Sequence, residues 1–301
     1  MAIQTVRANV NGTWHTLTYN SGNGRWEATL NAPGAPSFNQ PGGYYNVQVE
    51  ATNTAGTQAT ADGSTIQGLR LVVKETVAPV ITIVSPSSGA SVTNSNQPVV
   101  FTITDETGGS GVKLDSVVVK LDGSTVPAGE VTNSAIMGGY SFTYTPATAL
   151  TDGQHTVTVD ATDNDGNAAT QASTTFTVDT VPPSLNVTSP TDGLITNDAS
   201  VVVAGTTNDV TSSPVTVTIQ LNNADQGPVT VGADGAFSKT LTLVNGANTI
   251  VVTATDSAGK QSTVTRNVTL DTSVPQVVSA TITPNPVDAG ATMIISVEIA
   301  G

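Results

Sequence analysis

Eight acidic residues beside turn-forming segments are the side chains of this sequence best able to do chemistry. They are Glu75, Asp105, Glu106, Asp163, Asp165, Asp179, Asp209 and Asp256. Clustered carboxylate oxygens are typical ligands of calcium, a hard cation that takes about six to eight oxygens. A regular calcium-binding loop is absent, and Asp and Asn also form turns by bonding their own backbone. Calcium binding and simple turn formation are therefore both open for these residues.

Aromatic side chains form a second candidate site, for carbohydrate. Six of the twelve aromatic residues lie between positions 14 and 45. A flat ring on a sheet surface can stack on a sugar ring and bury apolar area there. The residues expected to bind are Trp14, Trp26, Tyr44 and Tyr45, with the two tryptophans on neighbouring strands. The alternative is that one tryptophan is a core residue of the fold.

A catalytic site is not expected. The two histidines, His15 and His155, lie in different parts of the chain, and both are predicted on strands with their side chains facing solvent. Cysteine is absent. A nucleophile, its base and the group that orients the base must converge at one place. We therefore predict that the protein is not an enzyme.

The charge balance narrows the range of partners. The chain has 23 acidic and nine basic side chains, a formal net charge of -14. This field repels nucleic-acid phosphates and anionic membrane surfaces, so a cation is the better expectation. No run is long enough to insert in a membrane. The start, Met1–Thr5, enters a strand pattern without an export signal, so either the signal lies elsewhere or the protein leaves its cell by lysis.

A repeat of about a hundred residues organises the chain. Its junction recurs as Glu75–Pro79, Asp179–Pro183 and Asp271–Pro275, and each junction closes one strand-like run and opens another. The short runs are rich in Val and Thr, which favours strands, and no stretch has helical spacing. About seven short alternating strands per repeat predict a two-sheet sandwich. The sequence thus predicts an all-β fold.

These features resemble the bacterial immunoglobulin-like domains that occur in tandem in surface adhesins and in phage-encoded proteins. The resemblance rests on the junction Val178–Pro183 and on the turns Ala161–Asn167 and Ala254–Lys260, and it covers Val77–Asp271. It implies tandem immunoglobulin-like β-sandwiches in an elongated array. Adhesins similar to this chain can hold calcium at the interfaces between domains, so the resemblance also implies calcium at the interdomain junctions.

The geometry of such a sandwich predicts which acidic residues meet. The loop after the second strand and the loop before the last strand lie at the end where the chain enters. Asp105, Glu106 and the turn Asp163–Asp165 are therefore expected near Glu75, and Asp209 and Asp256 near Asp179, in two separate sets. Calcium bound there would neutralise the repulsion between carboxylates and stiffen the junction.

The ends of the sequence suggest an assembly. The expected domains are an incomplete unit at 1–75 without its strands one and two, units at 76–179 and 180–271, and the first two strands of a further unit at 272–301. Two strands with one apolar face do not hold together alone in water. Either the tail pair completes the head unit of the next chain, giving a head-to-tail filament by strand addition, or the chain is cut from a longer array.

Two functional hypotheses follow. The first is a non-enzymatic, extracellular structural or spacer protein of a bacterial surface or phage particle, with head-to-tail self-association. The alternative is a carbohydrate-binding adhesin or an accessory module of a secreted hydrolase, in which the aromatic first unit contacts a surface glycan.

Overall fold

The computed structural model describes residues 2–301, and these residues are built mainly of β-strands. Their helices are single 3-10 turns, which are Ser37–Asn39, Pro41–Gly43, Gln67–Leu69, Leu114–Ser116 and Ala128–Glu130. The chain separates into two compact units, one ending at Val178 and the other spanning Asp179–Gly301. The prediction of an all-β fold is confirmed.

The head segment, residues 2–75, is a set of short strands with little core. Its strands are β1 Ile3–Val10, β2 Thr13–Thr16, β3 Thr18–Asn20, β4 Arg25–Glu27, β5 Tyr45–Asn46, β6 Gln48–Asn53, β7 Gln58–Ala61 and β8 Arg70–Leu71. One sheet has the order β2-β1-β6-β7, while β3-β4 and β5-β8 are separate pairs. Its buried apolar side chains, among the described residues, are Val6, Ala8 and Tyr45.

The first sandwich follows the head segment within the same unit. Its strands are β9 Val80–Ser85, β10 Ala90–Val92, β11 Val99–Thr104, β12 Val118–Leu121, β13 Ser124–Thr125, β14 Val131–Ile136, β15 Gly139–Tyr144, β16 Gly153–Asp160 and β17 Ala172–Val178. One sheet has the order β14-β15-β11-β9 and the other β10-β17-β16-β12-β13. Every pair is antiparallel except β10 with β17.

The core of the first sandwich follows from the alternation of its strands. Successive side chains of a strand point to opposite faces, so every second residue of β11 is buried. Phe101 of β11 stacks on Phe142 of β15, with ring centroids 5.0 Å apart and planes 6° apart. Val157 and Val159 of β16 cover these rings from the other sheet and are fully buried. The alternation of β16 thus places Val157 and Val159 on its inward face.

The second sandwich lies in the second unit and has the same plan. Its strands are β18 Ser184–Ser189, β19 Leu194–Thr196, β20 Ser200–Asn208, β21 Thr216–Leu221, β22 Ala224–Asp225, β23 Ala236–Thr242, β24 Gly246–Thr255 and β25 Gln261–Leu270. Its sheets have the orders β18-β20-β23 and β19-β25-β24-β21-β22. Ile250, Val252 and Ala254 of β24 are fully buried, as their spacing predicts.

One hairpin recurs in the head segment and in both sandwiches. The pairs β1–β2, β12–β13 and β21–β22 each turn at an Asn or Asp with positive φ, and φ is 50° at Asn11, 48° at Asp122 and 52° at Asn222. Asn and Asp adopt this left-handed conformation more readily than other residues with side chains. The first strand of each hairpin pairs with β6, β16 or β24. The head sheet is thus built like the sheets that contain β12 and β21.

The tail hairpin consists of β26 Gln276–Thr283 and β27 Ile294–Ala300, paired antiparallel. Every residue from Asp271 to Gly301 is exposed. The cross-strand pairs Val277 with Ile299 and Ile282 with Ile295 place large apolar side chains on one face of the hairpin. This face is uncovered in the described chain.

Candidate metal centres

Three aspartates of the second unit converge at the entry of the second sandwich. Asp179 precedes β18, Asp209 follows β20, and Asp256 lies in the turn between β24 and β25. One carboxylate oxygen of each lies within 4.8 Å of those of the other two. Asp179 is 0% and Asp256 5% exposed. We name Asp179, Asp209 and Asp256 the second cluster.

Each aspartate of the second cluster is held in place through its Oδ1 atom. Backbone N–H groups donate to these atoms at 2.8–3.0 Å, from Val181 to Asp179, from Thr211 and Ser212 to Asp209, and from Ala258 and Lys260 to Asp256. These are the turn bonds that Asp side chains form with nearby backbone. Turn formation therefore accounts for one oxygen of each carboxylate and leaves the other oxygen available.

The remaining oxygens of two of these carboxylates have no partner. The Oδ2 atoms of Asp179 and Asp256 are inaccessible to solvent and accept no hydrogen bond from the described residues. A buried charge must be paired or bind a metal, since its desolvation costs several kcal/mol otherwise, by an order-of-magnitude estimate. The donor set consists of oxygens alone, which suits a hard cation such as calcium. The residues therefore fit a calcium ion.

The first cluster consists of Glu75, Asp105 and Glu106 in the first unit. Glu75 lies at the end of the head segment, and Asp105 and Glu106 follow β11. One carboxylate oxygen of each lies within 4.8 Å of those of the other two. Glu75 Oε2 and Asp105 Oδ1 are enclosed and unpartnered within the described chain. Their other oxygens accept the N–H groups of Ser110 and Gly111.

The carboxyl groups of Glu75 and Glu106 in the first cluster shift each other's pKa in opposite directions. A hydrogen bond with Glu75, together with burial and the nearby Asp105, raises the pKa of Glu106 to about 7. Burial alone would raise the pKa of Glu75, but hydrogen bonds from Glu106 and Ser110 outweigh it and lower that pKa. Like carboxylates held this close do not both ionise readily unless a cation compensates them. The opposite pKa shifts of Glu75 and Glu106 thus follow from holding several carboxylates close together.

The backbone of Gly109 lies directly against the carboxylates of the first cluster. A Cβ built on Gly109 would lie 2.7 Å from Glu75 Oε2, 2.8 Å from Glu106 Oε1 and 2.9 Å from Asp105 Oδ2. These separations are shorter than real Cβ contacts. The backbone at Gly109 therefore approaches the three carboxylates where a larger residue would displace them.

The other two predicted ligands, Asp163 and Asp165, do not join the first cluster. Asp163 is fully buried, and its Oδ1 accepts the N–H groups of Gly166 and Asn167 at 2.6 and 2.8 Å while its Oδ2 accepts the Asn167 amide at 2.7 Å. Asp165 Oδ2 accepts the backbone N–H of Glu75 at 3.0 Å. Asp163 thus forms a turn, and Asp165 fixes the chain beside the cluster.

The predicted aromatic residues are not brought together. Trp14 lies on β2, whereas Trp26 lies on β4, which pairs with β3 in a separate sheet, so the prediction of neighbouring strands is wrong. The reason is that the chain leaves the first sheet after β2. Tyr45 is buried, and its hydroxyl donates to the carbonyl of Ala35 at 3.1 Å. The Arg70 guanidinium lies 5.0 Å from the ring centroid of Tyr44.

His155 is buried, so the prediction that its side chain faces solvent is wrong. Its Nδ1 lies 2.8 Å from Asp122 Oδ2 and its Nε2 lies 2.8 Å from the Thr151 carbonyl oxygen. The alternation of β16 places position 155 on the inward face with Val157 and Val159. The imidazole can lie on the inward face near the start of β16 because the Asp122 carboxylate is there to pair with it.

Comparison with known proteins assigns the class. The model of the family described as bacterial Ig-like domain matches residues 79–180, and the model of glucodextranase domain B matches residues 183–272. The chain therefore contains tandem immunoglobulin-like domains, the first of which matches the bacterial Ig-like family. Its first sandwich corresponds to the bacterial Ig-like domain, and its second sandwich is similar to domain B of glucodextranase.

Relatives resemble this chain in part. Bacillopeptidase F of Bacillus subtilis (strain 168) is 31% identical over 166 residues, which are 54% of this chain and 11% of that protein. The fibronectin(III)-like modules of Clostridium thermocellum CbhA are 16% identical, with a TM-score of 0.40, over 63% of this chain and 93% of theirs. A chain of a 1.5-MDa bacterial ice-binding adhesin is 22% identical, with a TM-score of 0.31, over 89% of this chain and 86% of its own.

The class limits the function. Bacterial immunoglobulin-like domains commonly belong to secreted or surface proteins, and they are generally not catalytic. Between residues 2 and 301, no helix has the length and apolar character needed to cross a bilayer.

Proposed function

We propose that this chain is a non-enzymatic spacer of a bacterial surface or phage particle, in which calcium locks the entry of each sandwich. The observation that carries the proposal is the second cluster, where the buried Asp179 and Asp256 each keep an enclosed carboxylate oxygen without a partner. Three carboxylates in one enclosure repel one another, and a divalent cation removes that repulsion. The folded state then binds calcium more tightly than the unfolded chain does.

Calcium at each cluster ties a linker residue to the loops of the sandwich it enters. In the first unit, Glu75 is already held by the Ser110 N–H, and its carbonyl accepts the Asn167 amide at 3.2 Å. Lys74 donates to the Asp165 carbonyl at 3.1 Å. The ion adds a bond among carboxylates from the linker and from the loop after β11, so the linker loses freedom to move on the sandwich. A spacer needs this rigid connection between its linker and the sandwich that follows.

The test is thermal unfolding of the full chain by calorimetry, after removal of divalent ions and again with calcium. Calcium at about 100 times its dissociation constant stabilises a one-site folded state by about 2.7 kcal/mol. Asp256→Asn keeps the Oδ1 that accepts two backbone N–H groups and removes the charge. We expect this variant to lose the calcium-dependent rise in Tm of the second unit.

The matched control is Asp198→Asn. Asp198 is exposed, and its Oδ1 accepts the Ser200 N–H at 2.8 Å, so the chemical change and the turn bond are the same. The control should keep the full calcium response. A Tm that calcium leaves unchanged in the unsubstituted chain would refute the proposal.

Self-association is proposed as the assembly mode, and the tail hairpin supports it. Its exposed apolar face needs a cover, because two strands alone are marginally stable in water. The proposed cover is the head segment of a second copy, since the head sheet is built like the β12–β16 sheet that covers β9 and β11 inside the first sandwich. Sedimentation velocity should show association that Ile295→Ser abolishes and Thr281→Ser, on the opposite face, preserves. A concentration-independent monomer would refute this mode.

Glycan contact by the head segment is the alternative function, and one aromatic pair favours it. The rings of Tyr19 and Trp26 lie 5.6 Å apart at 54°, and Tyr19 is 53% exposed. Tryptophan fluorescence titrated with a glycan panel should respond in the unsubstituted chain and in Phe38→Ala but not in Tyr19→Ala. A panel without any response would argue against this function.

A further inference from the structure

Besides their acidic side chains, the two clusters differ at one uncharged position. Ser212 occupies in the second unit the place of Gly111 in the first. The N–H of Gly111 donates to Asp105 at 2.7 Å, and the N–H of Ser212 donates to Asp209 at 2.8 Å. The carbonyl oxygens of Gly111 and Ser212 each accept a backbone N–H at 3.0 Å, from Asn164 and from Ser257.

The exchange of Gly for Ser adds a hydroxyl to the second cluster. Ser212 is 1% exposed, and its Oγ has no hydrogen-bond partner among residues 2–301. Buried hydroxyls are nearly always hydrogen-bonded, because an unpaired one loses its contacts with water without compensation. The backbone of Ser212 bonds Asp209 on one side and the residue after Asp256 on the other. The unpaired hydroxyl therefore belongs to a residue whose backbone bonds Asp209 and the turn that carries Asp256.

The third carboxylate comes from a different loop in each cluster. Glu106 directly follows Asp105, whereas Val210 directly follows Asp209 and is 92% exposed. The second cluster thus takes its third carboxylate from Asp256, in the turn between β24 and β25, and all of its acidic side chains are the shorter aspartates. It needs another oxygen donor if it is to surround a cation that takes at least six oxygens, by the usual count of about six to eight.

We propose that Ser212 Oγ is a direct ligand of the calcium ion at the second cluster, an oxygen that the first cluster lacks because Gly111 stands at this position. The inference rests on the proposed function, since it presupposes a cation at the second cluster. It makes the two centres chemically different. The second binds its ion with three carboxylates and a neutral hydroxyl, so the two centres differ in affinity and in the number of water ligands.

The experiment uses terbium, a luminescent substitute for calcium, on the full chain with Asp105→Asn and Glu106→Gln to disable the first cluster. Luminescence lifetimes in H₂O and D₂O count the water molecules on the bound ion. Ser212→Ala should weaken terbium and calcium binding by about tenfold, the lower end of what a lost supporting contact costs a metal site. It should also add one water to the ion. Ser213→Ala, the same change at an exposed neighbour, should alter neither value.

The outcomes separate this inference from the proposed function. Equal affinity and equal water count in Ser212→Ala and Ser213→Ala would overturn the role of Ser212 and leave the calcium site standing. No terbium bound before Ser212 is changed would overturn both. Ser212→Gly, which reproduces the residue at Gly111, must behave as Ser212→Ala does. Without ion, both variants should melt no lower than the parent, since the hydroxyl they remove is unpaired, and a lower Tm in both would contradict the inference.

Discussion

The contact of His155 with Asp122 should make the first sandwich more stable in mild acid than in alkali. Nδ1 and Nε2 of His155 face a carboxylate and a carbonyl, which only accept hydrogen bonds, so only the protonated ring, with its two N–H groups, can donate to both. Burial alone would lower the pKa of His155, but the hydrogen bond to Thr151 and the interactions with Asp122 outweigh it, and the pKa is raised. The neutral ring keeps a single donor and must lose one of these contacts.

The sign and size of the effect follow from this raised pKa. A folded-state pKa above the unfolded value gives stability that is complete below about pH 6.5 and is lost as pH rises through the folded value. A hydrogen bond to a charged group contributes about 1.5–3 kcal/mol. Since the Asp122 side chain is 48% exposed, we reduce this to about 1 kcal/mol for solvent screening. That corresponds to a fall in Tm of about 4–8 °C for a domain of this size.

The second sandwich supplies the control for this prediction. Asn222 and Asn248 take the places of Asp122 and His155 there, with their amides 3.1 Å apart, and they do not titrate. Asp122→Asn combined with His155→Asn should therefore remove this contribution to the pH dependence of stability, so the difference in free energy of unfolding between parent and variant should change with pH. Tyr144 beside the pair does not interfere, because burial and the charges of Glu130 and Asp122 raise its pKa and keep it neutral.

The assay is chemical denaturation of the first unit at pH 6 and pH 9, with the imidazole titration of His155 followed by NMR. The parent should lose about 1 kcal/mol more than the double variant between these two values, as worked above. A His155 pKa at or below the unfolded value of about 6.5 would refute the reasoning, as would a difference between parent and variant that stays constant with pH.

Two further predictions concern the first unit. Gly109→Ala should weaken calcium binding at the first cluster in calorimetric titration, because its Cβ would lie 2.7–2.9 Å from the three carboxylates. The control Gly129→Ala places its Cβ in open space and should not weaken binding. Equal titrations of the two variants would contradict the geometry. Phe101→Ala should lower the free energy of unfolding by about 3–5 kcal/mol, since the ring is fully buried against Phe142. The control Val84→Ala, at a 59% exposed position, should lower it by less than about 1 kcal/mol. Similar losses of stability in both variants would argue against the assigned core.

The sequence predicts the two clusters because the repeat places an acidic junction residue and an acidic loop after the second long strand at the same end of each sandwich. The alternation of the strands then determines which loops share an end. The sequence does not show that both oxygens of Asp163 bond its own turn, since an Asp that does so and an Asp that faces a cluster look alike in sequence. It misses Ser212 because an uncharged residue gives no signal until its hydroxyl is seen to be enclosed without a partner.

Two strands of the sandwiches are too short to show an alternating pattern in the sequence. β10 and β19 have three residues each and pair in parallel with β17 and β25, so no turn beside them indicates their partner. The separation of Trp14 from Trp26 is missed for a similar reason. Adjacent strands in a sequence of hairpins are expected to share a sheet, and the break after β2 depends on packing that local pattern does not report.

A crystal structure of the full chain grown in calcium tests the central claim most directly. We predict an ion at the second cluster with Asp179, Asp209 and Asp256 oxygens about 2.3–2.6 Å away, the range for calcium. Carboxylates that remain within 4.8 Å of one another with no ion among them, in crystals containing calcium, would contradict it.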